Sequence, residues 1–286
     1  MLGKYKCNHW QIAYRCSKNE EFQLISNPNW GWCADPFLVK YRGEIYLFAE
    51  IFLYKSERNG VIGYCRFDGK EFGKWQVSMD KHWHLSYPNV FVFDNRLFMC
   101  PESHQLDEVN VYELKEFPDK WKKVITLISN EKCVDTTFFR YNEEQYMFTF
   151  KPTFSHYGGG LFLYKIENNK AKNEIHITDD RSLARPGGNV LFDGEKYIRI
   201  GQNCQREYGG SLTFCEIESV WPQYKEKPIR ELSVNDLGEK FKERFCGIHT
   251  YNVLDGIEVV DLKYKKFSFS EQVARRCVKR IFLNKY

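Results

Sequence analysis

Five places along the chain, about 50 residues apart, hold polar side chains at the start of an apolar run. Two of them carry a carboxylate, two carry an imidazole and one carries a guanidinium. Paired carboxylates are what acid–base chemistry at a glycosidic bond requires, and the basic groups suit a phosphate or a carboxylate. The residues are Asp35, His84 with Tyr87, Asp135, Arg185 and His249.

A second set of polar residues comes later in the same repeats. Glu50 and Glu102 each close an apolar run, and several polar residues follow Gly187 and Gly188, where glycine would let backbone N–H groups approach an anion. We predict catalytic roles for three carboxylates, Asp35, Asp135 and Glu102. We predict substrate contacts for His84, Tyr87, Arg185, Arg199, Gln202, Tyr208, His249 and Glu50.

Each of these residues also has an ordinary structural explanation. An aspartate is common in turns and at strand ends, and a glycine-rich segment with arginines is often a surface turn. The nearby aromatic residues Trp30, Trp32 and Trp83 suit sugar rings and a protein core equally well. The recurrence of polar residues at matching positions is what favours one shared site.

The same repeats predict the fold. In the first one, an apolar run over 36–39 is followed by a turn at Gly43 and a second apolar run over 45–49. Hairpin signals that recur at this spacing are typical of a β-propeller. We therefore predict an all-β, five-bladed propeller. Because the first strand of a blade lines the propeller axis, the residues that open the repeats should meet in one central funnel.

The blades are expected to form a single domain over 1–286. The segment 218–246 lacks the recurring pattern of apolar run, turn and apolar run, and it contains prolines and many charged residues. This composition predicts a long loop or lid with a short helix around 234–245. The residues over 270–286 fit a basic amphipathic helix that packs on the rim, and such a helix would also suit a membrane surface. The predicted blades are 30–80, 84–130, 133–178, 184–218, and 247–268 closed by 8–16.

Composition narrows the classes of function. The chain has 286 residues, 17% of them aromatic, and a net charge of +4, which is too small to predict a nucleic-acid partner. No stretch of 18 apolar residues predicts a transmembrane helix, and the first 20 residues lack the apolar core of a signal peptide. The ten cysteines show no CxxC spacing, so we expect reduced thiols, no metal, no cofactor and a cytoplasmic location.

Two phrases resemble five-bladed glycosidases of the arabinanase and β-xylosidase type. They are the stretches around Asp35 (33–39) and around Asp135 (134–139). The resemblance implies that Asp35 is a general base and that Asp135 orients it and tunes its pKa. The catalytic acid of that family is a glutamate in a Glu-Gly-Pro phrase, where this chain has Arg185. Arginine cannot donate a proton at neutral pH, so Glu102 or Glu50 would have to act as the acid.

A closer resemblance covers nearly the whole chain. It is to the N-terminal domain of glucosamine inositolphosphorylceramide transferases and to bacterial stand-alone relatives linked to surface-polysaccharide synthesis. The resemblance implies a propeller fold, and it does not by itself fix a reaction. The matching phrases lie at 32–37, 84–88, 101–103, 135–138, 185–188, 199–204, 208–209 and 247–251.

The leading functional hypothesis is glycosyl transfer in cell-surface glycan synthesis, with a sugar phosphate or nucleotide sugar as substrate. Asp35 would take the proton of the acceptor hydroxyl and Asp135 would orient it, while Arg185, Arg199 and His249 would balance the charge of the leaving group. One alternative is a glycoside hydrolase or phosphorylase that uses Asp35 with Glu102. The other is a propeller that binds glycans without turnover.

Overall fold

The computed structural model describes residues 6–56, 59–153 and 158–267. Within these residues the chain forms 21 β-strands and little helix, and the strands assemble into five antiparallel sheets. The prediction of an all-β, five-bladed propeller is confirmed. The helix predicted over 270–286 lies outside the described residues.

The blades follow one another along the chain, except that the first two strands belong to the last blade. These two are β1 (Lys6–Arg15) and β2 (Gln23–Leu24). Blade one consists of β3 (Gly31–Tyr41), β4 (Glu44–Leu53), β5 (Gly60–Phe67) and β6 (Gln76–Met79). Blade two consists of β7 (Ser86–Phe93), β8 (Arg96–Glu102), β9 (Glu108–Glu116) and β10 (Lys120–Ser129). Blade three consists of β11 (Val134–Tyr141), β12 (Glu144–Pro152), β13 (Gly159–Glu167) and β14 (Lys170–Thr178).

Blades four and five complete the ring. Blade four has a divided inner edge and consists of β15 (Arg185–Pro186), β16 (Leu191–Phe192), β17 (Tyr197–Asn203), β18 (Ser211–Ser219) and β19 (Lys225–Leu232). Blade five consists of β20 (Gly247–Leu254) and β21 (Ile257–Phe267), followed by β1 and β2. Strand β1 pairs with β21 from Lys6 opposite Phe267 to Arg15 opposite Glu258. This pairing closes the ring and covers a strand edge that would otherwise be open.

Blade four extends further than the sequence predicted. The segment 218–246, predicted as a loop or lid, contains the outer strand β19, which pairs with β18. It also contains a 3-10 turn at Val234–Leu237 and the one-turn helix α1 (Glu239–Lys242). Seven of the eight residues of β19 are not buried, and Pro228 lies opposite Cys215 beside a shift in register. An exposed edge strand of charged residues and proline has no apolar alternation that would reveal it.

The hydrophobic core is divided among the interfaces between blades. Each of five apolar clusters joins strands of two neighbouring blades. Phe37 of blade one, for example, packs edge-on against Tyr87 of blade two, with ring centroids 4.8 Å apart. The described cysteines are free thiols, and most of them are buried in these layers. Among the described residues no helix is long and apolar enough to span a membrane.

The inner strands are bent where they reach one end of the funnel. The register of blades one, two and three shifts after Ala34, Ser86 and Val134, and the next residue in each has a positive φ: 53° for Asp35, 41° for Tyr87 and 51° for Asp135. A β-bulge adds one residue to a strand and re-aims its side chain. The bulges therefore turn these three residues toward the centre of the ring.

The centre of the ring is filled by side chains. The Tyr87 hydroxyl shares a hydrogen bond with the Thr137 hydroxyl (2.8 Å) and accepts one from the Gly188 N–H (2.8 Å), which links blades two, three and four. Gly188 has a φ of 138°, and a Cβ there would lie 2.1 Å from the Tyr251 carbonyl oxygen, so only glycine fits. Further along the axis, the Asn89 side chain donates to Asn189 (2.7 Å). The central axis is thus closed by a polar network.

Candidate active site

Asp35 is a carboxylate held by hydrogen bonds at the end of the funnel where the bulges lie. Its Oδ1 accepts a hydrogen bond from the Thr250 hydroxyl (3.0 Å), and its Oδ2 accepts one from the Tyr87 N–H (3.1 Å). Burial raises the pKa of the Asp35 carboxyl, and the imidazole of His249 counteracts this shift. A buried carboxylate whose orientation is fixed and whose pKa is raised is suited to accept a proton.

His249 lies behind Asp35, between two carboxylates. Its Nε2 is 3.7 Å from Asp35 Oδ1, and its Nδ1 is 2.6 Å from Asp261 Oδ2. The imidazole stacks on Trp10 at a centroid distance of 3.8 Å. All three charged or polar groups are at most 5% exposed, so their contacts are shielded from water.

Asp135 forms a second centre with Arg185, Gln202 and Glu102. The Arg185 Nε–H donates to Asp135 Oδ2, and the Gln202 amide donates to the same oxygen at 3.0 Å. Glu102 accepts a hydrogen bond from the Asp135 N–H (3.2 Å) and also shares a side-chain hydrogen bond with its carboxyl. Burial raises the pKa of Asp135 well above its ordinary value, although Arg185 counteracts the shift. Two neighbouring carboxyls disfavour each other's ionisation.

Glu50 is a buried carboxyl whose surroundings favour the protonated form. Burial raises its pKa well above the ordinary value of 4.5, and the carboxyls of Asp35 and Glu102 add to the shift. Its Oε1 lies 3.6 Å from Nε2 of His84, which brings that predicted residue to the same rim. Glu50 therefore has the property of a general acid, which the sequence lacks at position 185.

Tyr208 and Arg185 pack together beside Asp135. The Arg185 guanidinium is 5.1 Å from the Tyr208 ring centroid and 5.7 Å from that of Phe150. The backbone carbonyl of Tyr208 accepts a hydrogen bond of 2.5 Å from the fully buried Lys263, which also pairs with Glu207 at 2.9 Å. The Arg185 side chain is 21% exposed, more than any carboxylate in the cluster, so it is the charged group most open to a ligand.

Arg199 is the predicted site residue that the structure keeps away from this cluster. Its side chain donates to both carboxylate oxygens of Glu226, at 2.8 and 2.5 Å, and to the Leu183 carbonyl at 2.8 Å. The residue is 1% exposed. Its bidentate pairing with Glu226 occupies the donors that a ligand would need, so we assign it a structural role.

Four residues of the site were not predicted. Thr250 binds Asp35, Asp261 binds the imidazole, Trp10 supports the imidazole, and Lys263 holds the loop that carries Tyr208. Asp261 could have been found, because it interrupts the second apolar run of its repeat much as Glu50 and Glu102 close theirs. No comparable signal distinguishes Thr250 or Lys263 from ordinary strand residues.

Asp35, His249 and Asp261 offer ligand atoms that lie within 4.8 Å of one another. Each group is already engaged, because the imidazole and several N–H and O–H donors occupy the two carboxylates. A cation would have to displace those donors. We therefore assign no metal to this trio, and the expectation of no cofactor stays a prediction.

Two surface cavities lie at the opposite ends of the inner strands. One of about 680 Å³ is lined by apolar residues of blades two and three, such as Phe91 and Phe138. The other, of about 340 Å³, also borders Phe192 of blade four. None of the predicted site residues lines either cavity. Because acid–base chemistry needs the carboxylates, the candidate active site is the cluster around Asp35 and Asp135.

The raised pKa of Glu50 predicts an unusual pH dependence of stability. Between 4.5 and its higher folded-state pKa, Glu50 binds a proton in the folded protein that the unfolded chain has released. Stability must then fall as the pH rises through this range, and Asp35 and Asp135 act in the same direction. We expect Glu50→Gln to flatten the decline by up to about 1.4 kcal/mol per pH unit.

Urea unfolding at pH 5, 6, 7 and 8 measures this slope. The exposed Glu195 serves as a control, and Glu195→Gln should retain the wild-type slope. A Glu50→Gln protein with an unchanged slope would show that Glu50 is ionised in the folded state.

The fold and the site together define a five-bladed propeller with a cluster of carboxyls at one end of its funnel. The chain belongs to the family described as "Glucosamine inositolphosphorylceramide transferase 1, N-terminal", whose model matches residues 7–264. It is 30% identical over 237 residues to glucosamine inositolphosphorylceramide transferase 1 of Oryza sativa subsp. indica. It is 31% identical over 236 residues to the protein of that name from Arabidopsis thaliana. Both alignments cover 77% of this chain, which spans about 30% of the length of these relatives.

Solved structures with the same fold include propeller glycosidases. The catalytic domain of a GH62 α-L-arabinofuranosidase from Coprinopsis cinerea superposes with a TM-score of 0.60 at 11% identity, covering 90% of this chain and 98% of that one. A GH43 β-xylosidase/α-arabinofuranosidase from a compost metagenome gives a TM-score of 0.59 at 9% identity, covering 82% and 90%. At these identities the likeness concerns the fold alone.

Proposed function

We propose that the protein catalyses glycosyl transfer from a phosphate-bearing sugar in glycan synthesis. The observation that carries the proposal is the anchoring of Asp35, whose two carboxylate oxygens are held by Thr250 and Tyr87 inside a ring of buried carboxyls. Asp35 takes the proton of the acceptor hydroxyl, and Asp135 shapes the field around it. The name of the curated relatives, which describes a transferase, supports transfer over hydrolysis.

The proposed anionic substrate rests on Arg185. Its Nε–H is used by Asp135, while its Nη2 lies 4.0 Å from Glu102 and its side chain is partly exposed. A guanidinium has five N–H donors, so several remain for a phosphate. Arg199 no longer supports this part of the proposal, because Glu226 occupies it. A cytoplasmic location stays a prediction.

A second candidate function is hydrolysis or phosphorolysis of a glycoside. The observation that favours it is the position of Glu50, which lies opposite Ala34, the residue before Asp35. Burial raises the pKa of Glu50, so a protonated carboxyl can lie near the proton acceptor Asp35. An acid and a base on one sugar are what such enzymes require. Glu102 is less suited to the role of acid than the sequence suggested, because the Asp135 N–H and carboxyl engage it.

A substrate screen separates these functions. The protein is incubated with nucleoside-diphosphate sugars plus simple sugar acceptors, and separately with nitrophenyl glycosides with and without inorganic phosphate. Mass spectrometry of a sugar joined to an acceptor supports transfer. Release of free sugar or sugar phosphate from the glycosides supports the second candidate. Calorimetric binding of an oligosaccharide with no product from any donor would contradict both and favour a non-catalytic propeller.

A further inference from the structure

The imidazole of His249 is fixed by groups from several parts of the propeller. Trp10 of β1 stacks on one face at 3.8 Å, and the two rings are inclined by 15°. Tyr208, from the loop after β17, meets the imidazole edge at 5.2 Å. His249 is 2% exposed. A ring confined in this way has essentially one orientation.

Asp261 holds a proton on Nδ1 of the imidazole. Its carboxylate accepts backbone N–H groups from Asp35 (2.9 Å), His249 (3.1 Å) and Thr250 (2.9 Å). A carboxylate surrounded by donors is an acceptor, so the Nδ1 atom 2.6 Å from it carries the proton. The other nitrogen, Nε2, lies 3.7 Å from Asp35 Oδ1. Each ring nitrogen therefore faces a carboxylate oxygen, an arrangement that suits an imidazolium with a proton on both nitrogens.

We propose that Asp261 and His249 are a positioning pair for Asp35: Asp261 holds the imidazole through Nδ1–H, and the protonated Nε2 side faces Asp35 and favours the ionised carboxylate that accepts a proton. The pair extends the proposed function and rests on it, since it assumes that Asp35 accepts a proton from substrate. The titratable groups that face the imidazole are Asp35 from β3, Asp261 from β21 and Tyr208.

The pair has a consequence for pH dependence with a definite sign. Burial raises the pKa of Asp35, and the imidazole counteracts the shift. Removing the imidazole therefore raises the pKa of Asp35 further, and a general base that must be ionised loses activity at higher pH than before. The acidic limb of the pH–rate profile should move upward by about one pH unit.

The first measurement compares the pH–rate profiles of wild type and His249→Gln on the donor that the screen identifies. The expected result is the upward shift, with activity on the acidic limb about tenfold lower and a normal unfolding midpoint. His176 also contacts a carboxylate, that of Asp179 at 2.8 Å, but on the outer strand of blade three. His176→Gln should keep the wild-type profile. An acidic limb that does not move in His249→Gln overturns the proposal.

The second measurement needs no substrate. The chain has 7 histidines, and ¹⁵N spectra of histidine-labelled protein, with the His249 signals assigned by their loss in His249→Gln, report which nitrogen is protonated. We expect protons on both nitrogens in wild type and on only one of them in Asp261→Asn, which lacks the negative charge of the carboxylate. An imidazole with a single proton in wild type overturns the proposal whatever the enzyme does.

The two measurements separate the possible failures. A wild-type protein that turns over no donor overturns the proposed function, and the spectra then still decide whether Asp261 orients the imidazole. Activity that a chelator removes in wild type but not in His249→Gln would show that the trio binds an ion, which also overturns the positioning pair.

Discussion

Asp35→Asn is expected to lower turnover by about 10²- to 10⁴-fold while leaving the fold intact. Asparagine has nearly the same shape, so one side-chain oxygen can still accept the Tyr87 N–H. The new amide group then faces Thr250, whose hydroxyl can rotate to accept instead of donating. The variant loses the ability to take a proton and little else. Initial rates with the donor found by the screen measure the loss.

The matched control for this variant is Asp119→Asn. Asp119 is a surface aspartate, 51% exposed, whose side chain contacts only Lys120 among the described ion pairs. It should keep wild-type rates. If Asp35→Asn is equally active, Asp35 is not the proton acceptor, and the mechanism would have to be rebuilt around Asp135 or Glu50.

Arg199→Met is expected to reduce the free energy of unfolding by about 3–5 kcal/mol. The substitution leaves the Glu226 carboxylate, which is 8% exposed, without its guanidinium partner. It also removes the donor that satisfies the Leu183 carbonyl between blades three and four. Urea unfolding monitored by tryptophan fluorescence gives the value.

A double variant shows whether the unpaired charge is the cause. Arg199→Met combined with Glu226→Leu removes both charges and should be markedly more stable than Arg199→Met alone. The exposed pair Arg140 and Glu143 provides the comparison, with side chains 61% and 88% exposed. Arg140→Met should change stability by less than about 1 kcal/mol. An equally small effect for Arg199→Met would mean that water reaches the Glu226 carboxylate.

The fold was predictable because its signal is local and repeated. Each hairpin joins two apolar runs through a short turn, as at Gly43 and Gly194, and every copy reinforces the same period. Strand β19 escaped prediction because an outer strand contacts one neighbour and keeps its charged residues in solvent. The sequence therefore predicts the strands of the propeller where those strands are buried.

The positions of the site residues were more predictable from the sequence than the contacts that these residues make. Asp35 and Asp135 could be placed at the centre, because the first strand of each blade lines the axis. Arg199 could not be separated from Gln202, since its partner Glu226 lies in the unpredicted strand. The hydrogen bond from the Asp35 N–H to Asp261 joins residues 226 positions apart, and no local sequence pattern predicts such a contact.

The pairing of β1 with β21 also has to wait until most of the residues between them have been synthesised. Arg15 and its partner Glu258 are separated by 243 residues, so a ribosome adding about 5–20 residues per second needs roughly 12–50 seconds between them. Throughout that interval the first strand can pair only with the two-residue strand β2. The Asp261 carboxylate that orders Asp35 is supplied by the same late strand. A nascent chain therefore acquires its last blade and its completed centre in one event, once β21 has been synthesised.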